Sequence, residues 1–216
     1  MDNKNIDTVI RILKKKTKQY VLPIVTQYSF TKNPFFVLIS TVLSLRTKDL
    51  VTAEASRRLF KLADTPSQMR KLSQARIEKA IYPVGFYKTK AKNVLRICAI
   101  LNENEGKVPD EIENLLELPG VGRKTANLVV TLGYGKLGIC VDTHVHRISN
   151  RLGYVNTKSP DKTEFALRKK LPKKYWIIYN DLLVTWGQNV CVPISPWCSK
   201  CAIRNYCPRK GVEKSR

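Results

Sequence analysis

Acidic residues are scarce in this chain. Its 216 residues include 17 Asp and Glu against 39 Lys and Arg, a formal net charge of +22, and only 2 His. That imbalance excludes a cationic partner and calls for a polyanion, with nucleic acid the default and a membrane surface the rival. Long apolar runs are missing too. The nearest approach, Phe35–Leu45, is broken by Ser40, Thr41 and Ser44 and is too short to span a bilayer. No secretory signal is recognisable. The expectation is a soluble monomer inside the cell, cytoplasmic or on the nucleoid, with no membrane partner. Strand-like alternation of useful length is also absent, so the fold class is all-α.

What is present is a series of helix signals. Ile6, Val9, Ile10 and Leu13 fall on one helical face, with Arg11 and Lys14 to Lys18 on or beyond the other. Pro34 opens a helix over about 35–45 that is apolar all round and belongs at the centre of a bundle. Helices follow over 49–62 and 73–81, with Thr65-Pro66-Ser67-Gln68 between them as a capping box with proline in its first turn. Gly85-Phe86-Tyr87 makes a loop before a helix from about Thr89 to Glu103. Asp110 and Glu113 form a second capping box for a short helix, and further helices lie near 144–152, 163–171 and 175–189. Six acidic residues against one lysine gather in 103–117, a face expected to turn away from nucleic acid.

That short helix leads into Glu117-Leu-Pro-Gly-Val-Gly-Arg-Lys-Thr-Ala, a helix, a tight hairpin and a second helix. Pro119 ends the first helix, and Gly120 and Gly122 permit backbone angles closed to other residues. Gly122 opens the second helix, so unpaired N–H groups face outward to a phosphate, with Arg123 and Lys124 on the first turn. Alone, the hairpin describes a backbone clamp and no activity.

Six cysteines in a reduced compartment are poor candidates for disulfides. Cys98 and Cys140 sit in apolar surroundings and read as buried and inert. Cys191, Cys198, Cys201 and Cys207 are separated by six, two and five residues. Zinc ribbons place two C-x-x-C knuckles a dozen or more residues apart. One knuckle with two outlying thiolates suits a 4Fe–4S cubane better, because four ligands must surround a larger object. Such a group would tie down an irregular C-terminal loop.

Together, Leu118-Pro119-Gly120-Val121-Gly122-Arg123-Lys124-Thr125-Ala126, Val141-Asp142-Thr143-His144, and C-x6-C-x2-C-x5-C resemble endonuclease III, the iron–sulfur branch of the helix-hairpin-helix DNA glycosylases. The likeness runs from about Asn33 to Cys207. The resemblance implies a six-helix barrel domain over 28–136 and an iron–sulfur cluster domain built from 1–27 and 137–216, with DNA across the groove between them. It also implies a base excision repair enzyme that removes oxidised pyrimidines such as thymine glycol and then nicks the strand. On that basis Lys124 matches the nucleophile, Asp142 the essential carboxylate, and the four cysteines the cluster ligands. Double-stranded DNA with damaged bases or abasic sites would be the partner.

These residue types suit that chemistry. The target nucleotide must be flipped out of the duplex to expose its glycosidic bond. Departure of the base leaves positive charge on the sugar, which a carboxylate stabilises. At the start of a helix, Asp142 could equally serve as an N-cap, and the two roles are compatible. An amine attacks only when neutral, the state of about one unperturbed lysine in two thousand at pH 7. The helix end and Arg123 disfavour the ammonium form of Lys124. For the gap left by flipping, the positions matching the family's two wedges are Arg46 and Phe86. Arg46 departs from the glutamine common in the family, and Phe86 could alternatively be core. The loop Val192 to Trp197 lacks the basic residue often found there, for which Lys200 and Arg204 could substitute. His144 and His146 read as structural.

The alternatives are a mismatch thymine or uracil glycosylase of the same fold, and a non-catalytic DNA-binding or damage-sensing iron–sulfur protein. An adenine glycosylase is disfavoured because Thr41 stands where its catalytic glutamate is expected. Lys124 with Asp142 argues for the glycosylase/lyase.

Overall fold

In the computed structural model, which describes residues 3–216, helix is the only regular structure and no strand occurs among the described residues. In chain order the helices are α1 (Asn3–Thr17), α2 (Ile24–Ser29), α3 (Pro34–Ser44), α4 (Asp49–Leu62), α5 (Pro66–Arg70), α6 (Gln74–Ile81), α7 (Tyr87–Glu103), α8 (Ile112–Leu116), α9 (Arg123–Leu128), α10 (Thr143–Arg151), α11 (Pro160–Lys170) and α12 (Trp176–Asn189). A π-helical turn, Val129–Gly133, prolongs α9. Among the described residues no helix is long and apolar enough to cross a membrane.

The chain divides into two compact units, Ile24–Lys136 and Met1–Pro23 with Leu137–Arg216. The first cut falls at 23/24, directly before α2. Ile24 and Val25 are buried, and the Ile24 N–H donates to Asp49 Oδ2 at 3.0 Å, which holds α2 against the start of α4. Met1 and Asp2 of the expected 1–27 segment lie outside the described residues.

The 24–136 unit is built around α3. Asn33 caps it by accepting from the Phe35 N–H at 3.0 Å, and Pro34 occupies the first turn, where no N–H is needed. Val37, Leu38, Ile39 and Leu43 have no exposed surface. Burial of each contributes about 1.5–3 kcal/mol. The hydroxyls among them are satisfied within the helix, Ser40 donating to Phe36 O and Thr41 to Val37 O, both at 2.6 Å. At α5, Thr65 Oγ1 accepts from the Gln68 N–H at 3.3 Å, while Gln68 Oε1 reaches back to the Asp64 N–H at 3.1 Å. The expected box at Asp110 and Glu113 does not form: Glu111 is the N-cap of α8 and no side chain caps it. Lys136 draws Asp110 (2.8 Å) and Glu111 (2.5 Å) into ion pairs instead.

In the other unit, Ile6, Val9, Ile10 and Leu13 of α1 are buried as the periodicity requires. They share a core with Tyr154, Tyr179, Leu183 and Trp186. The polar ends of the two tyrosines are paired: Tyr179 Oη meets Ser149 Oγ at 3.1 Å, and Tyr154 Oη donates to Lys170 O at 3.1 Å. α10 and α12 cross closely at Gly187, where a Cβ would stand 2.4 Å from His144 Nδ1.

Candidate active site and cysteine-lined cavity

The hairpin is anchored by buried Leu118 and Val121. The Val121 N–H donates to Leu118 O at 3.1 Å, closing a four-residue turn with Pro119 second and Gly120 third. Gly120 has φ +78°, the value a type II turn reserves for glycine at its third position. Gly122 corrects the sequence reading. Its φ of −105° and ψ of −179° are extended backbone open to any residue. A Cβ there would meet nothing within 4 Å, so the fold itself does not require glycine. What its absence of a side chain does is leave bare main chain on an exposed turn at the N-cap of α9.

Arg123 and Lys124 are half-buried on the first turn of α9. Lys124 lies within electrostatic reach of Asp49 and Lys90. Burial holds the Asp49 carboxyl above the usual carboxylate range, against the opposing effects of the Ile24 N–H and the Lys124 charge.

Lys90 is the functional-looking residue that sequence reasoning missed. It is only 6% exposed. Its Nζ donates to Leu43 O at 2.8 Å, Leu45 O at 2.5 Å and Thr47 Oγ1 at 3.2 Å. Burial, aided by the charge of Lys124, lowers its amine to about 8. A signal was available: Lys90 stands in helical register with buried Val94, Ile97 and Leu101. The run Lys88-Thr89-Lys90 masked it as the solvated start of a helix.

Arg46 and Phe86 are brought together. Both are exposed, and both hold left-handed backbone angles, φ +52° and +58°. The Arg46 guanidinium lies over the Phe86 ring, 5.6 Å from its centroid. At 62% exposure Phe86 is not a core residue.

Asp142 belongs to the other unit from Lys124. It is the N-cap of α10, and its Oδ1 accepts from the Val145 N–H at 2.8 Å. Nearby, Arg147 Nη2 lies 3.0 Å from His144 Nδ1, and His146 Nδ1 lies 2.7 Å from Thr163 Oγ1. Both histidines are tied into packing between helices, and burial lowers the His146 imidazole from its ordinary value.

Cys191, Cys198, Cys201 and Cys207 line one cavity, with apolar walls from Ile148, Leu152 and Ile203. Among the described residues no three His, Cys, Asp or Glu side chains converge closely enough to hold a single metal ion. Burial pushes the Cys201 and Cys207 thiols up, and the charges of the neighbouring cysteines add to it. A cation from α10 does reach the 192–197 loop, a buried one held by main-chain carbonyls. Buried Arg151 donates from Nη1 to Cys191 Sγ at 3.4 Å and Val192 O at 2.8 Å, and from Nη2 to Pro193 O at 2.6 Å. Lys200 and Arg216 flank the Trp197 ring, at 5.2 and 3.8 Å from its centroid. Cys98 and Cys140 are buried elsewhere, the Cys98 thiol pushed up to about 12 by burial.

Residues 39–173 match the HhH-GPD superfamily base excision DNA repair protein family. Endonuclease III of Thermotoga maritima is 48% identical over 176 residues, 81% of this chain and 83% of that protein. The chain belongs to the endonuclease III family. Among solved structures, a non-covalent endonuclease III–DNA complex superposes with a TM-score of 0.86 at 33% identity, covering 97% of this chain and 96% of that one. A trapped endonuclease III–DNA covalent intermediate gives 0.77 at 37% identity, covering 82% and 84%. The chain spans about half the length, 48%, of the chloroplastic endonuclease III homolog 2 of Arabidopsis thaliana. As a member of the endonuclease III family, it is a base excision repair enzyme of the DNA glycosylase/lyase type.

Proposed function

We propose that this enzyme excises oxidised pyrimidines such as thymine glycol from duplex DNA, with Lys124 as nucleophile and Asp142 as the stabilising carboxylate. The observation that carries the reading is a lysine on the turn after a glycine-bared hairpin, in a family whose structures include a trapped covalent DNA intermediate. Neutral Lys124 Nζ bonds to C1′ of the flipped nucleotide. The glycosidic bond breaks, and the base leaves with the bonding pair and takes up a proton. The attached amine sheds a proton, its lone pair breaks the C1′–O4′ bond to form a C1′ iminium, and O4′ takes up a proton from solvent. Loss of a C2′ proton to solvent then sends an electron pair toward C3′ and expels the 3′ phosphate, and water releases the unsaturated aldehyde and the amine. Asp142 stabilises positive charge on the sugar as the base departs.

Gly120, Gly122 and Arg123 would seat a DNA phosphate on bare main chain. Arg46 and Phe86 would enter the gap the flipped nucleotide leaves, the guanidinium hydrogen-bonding the orphaned base. The four cysteines fit a 4Fe–4S cluster: all four line one cavity with apolar walls, and a buried guanidinium stands beside Cys191 to offset the negative charge of the thiolates. Bound there, the cluster would cross-link the C-terminal loop and contribute folding energy. We read the enzyme as a monomer acting on DNA inside the cell.

Borohydride reduction tests the nucleophile. The wild type should be trapped covalently on a duplex carrying thymine glycol or an abasic site, and Lys124→Ala should not. Equal trapping of the alanine variant refutes the assignment. A panel of lesion-bearing duplexes scored for nicking tests the lesion class; preference for an undamaged mismatched thymine refutes it.

A further inference from the structure

Arg46 and Phe86 each occupy a left-handed backbone conformation that non-glycine residues avoid. Strain of that kind persists only where the surroundings over-determine it, and here the surroundings are one small node. Thr47 Oγ1 accepts from Lys90 Nζ at 3.2 Å and from the Gly85 N–H at 3.2 Å, and its own proton points to Leu45 O at 3.2 Å. One hydroxyl therefore joins the loop that carries Arg46 to the loop that carries Phe86. Gly85 lets them close: a Cβ there would stand 2.7 Å from Arg46 O. The Lys90 ammonium also gathers the Leu43 and Leu45 carbonyls left open at the end of α3, where a cation opposes the negative end of the helix dipole. The Lys90 main-chain N–H donates to Phe86 O at 3.0 Å, which ties the first turn of α7 to the Phe86 loop.

We infer that Lys90 and Thr47 are positioning residues that lock the Arg46 and Phe86 loops into a single preformed wedge, so that both side chains enter the DNA gap together. The inference rests on the reading of Arg46 and Phe86 as gap-filling residues. Neither Lys90 nor Thr47 has to touch DNA. They act through the two loops, and their contribution is made before the substrate arrives, as preorganisation.

The test uses the full-length enzyme and two substrates: a duplex with 2-aminopurine beside the lesion, whose fluorescence reports flipping, and a single-stranded abasic oligonucleotide, on which no flipping is needed. Variants are Thr47→Val, Thr47→Ser, Lys90→Met, Arg46→Ala and Phe86→Ala. Loss of one buried hydrogen bond corresponds to about a tenfold effect. Thr47→Val and Lys90→Met each remove more than one such bond and should therefore lower the flipping amplitude and duplex kcat/KM by at least about tenfold. Thr47→Val should keep its single-strand lyase rate, and Thr47→Ser, which keeps the hydroxyl, should match the wild type. If Thr47→Val and Lys90→Met flip normally while Arg46→Ala and Phe86→Ala do not, the positioning role is overturned. Equal loss on both substrates in Thr47→Val also overturns it, as a general structural effect. Normal flipping in Arg46→Ala and Phe86→Ala overturns the wedge reading, and the inference falls with it.

Discussion

Asp142 offers the sharpest separation of structure from chemistry, because its two roles respond differently to two substitutions. As N-cap of α10 it needs only an oxygen 2.8 Å from the Val145 N–H, which asparagine also supplies. Asp142→Asn therefore loses only a negative charge at a helix N-terminus, about 0.3–1 kcal/mol. Asp142→Ala loses that charge and the cap as well, adding about 1 kcal/mol. The charge also bears on Arg147, whose buried guanidinium is held below its ordinary value by burial and supported by Asp142. For a chain of this length each kcal/mol moves the melting temperature by about 2–4 °C. The alanine variant should thus melt clearly below the asparagine variant. Turnover should rank otherwise. Both variants lack the charge proposed to stabilise the developing cation, and on that proposal both should lose about two to three orders of magnitude in single-turnover base excision. The assay pair is thermal unfolding and single-turnover excision on one thymine glycol duplex. Wild-type excision by Asp142→Asn, with Asp142→Ala impaired only in proportion to its stability, would reduce Asp142 to a cap and refute the catalytic role.

Other expectations follow from the same geometry. Gly120→Ala should destabilise by roughly 1–2 kcal/mol in urea unfolding, since φ +78° carries a penalty for any Cβ, whereas Gly122→Ala should unfold like the wild type yet bind DNA more weakly. Lys90 makes stability depend on pH with a definite sign. Its folded value of about 8 lies below the ordinary 10.5, so the unfolded chain binds the extra proton between them and stability rises with pH across that window. The Lys90 contribution approaches roughly 3 kcal/mol and should be absent from Lys90→Met in paired denaturation curves, a comparison in which the tyrosines cancel. Cys198→Ser should lose the visible absorbance of a thiolate-ligated iron–sulfur cluster and melt earlier; unchanged absorbance would remove Cys198 from the ligand set.

Much of this protein is set by short-range information. Asn33-Pro34, Thr65-Pro66 and Ser73 each start a helix because the capping oxygen and the N–H it accepts from lie within three residues. The α1 face follows from spacing alone, the 118–121 turn from Pro-Gly chemistry, and family membership from three motifs in order. Where local reading went astray, at Asp110, a partner outside the window decided: Lys136 took the carboxylates. Tertiary structure alone made Lys90 an interior cation, since the carbonyls that hold it lie 45 and 47 residues away. It likewise sent Arg151 into a loop beginning 40 residues later in the chain, and stacked Arg46 on Phe86. Periodicity shows which face of a helix is buried, but not which distant main-chain oxygens will be waiting there for a buried charge.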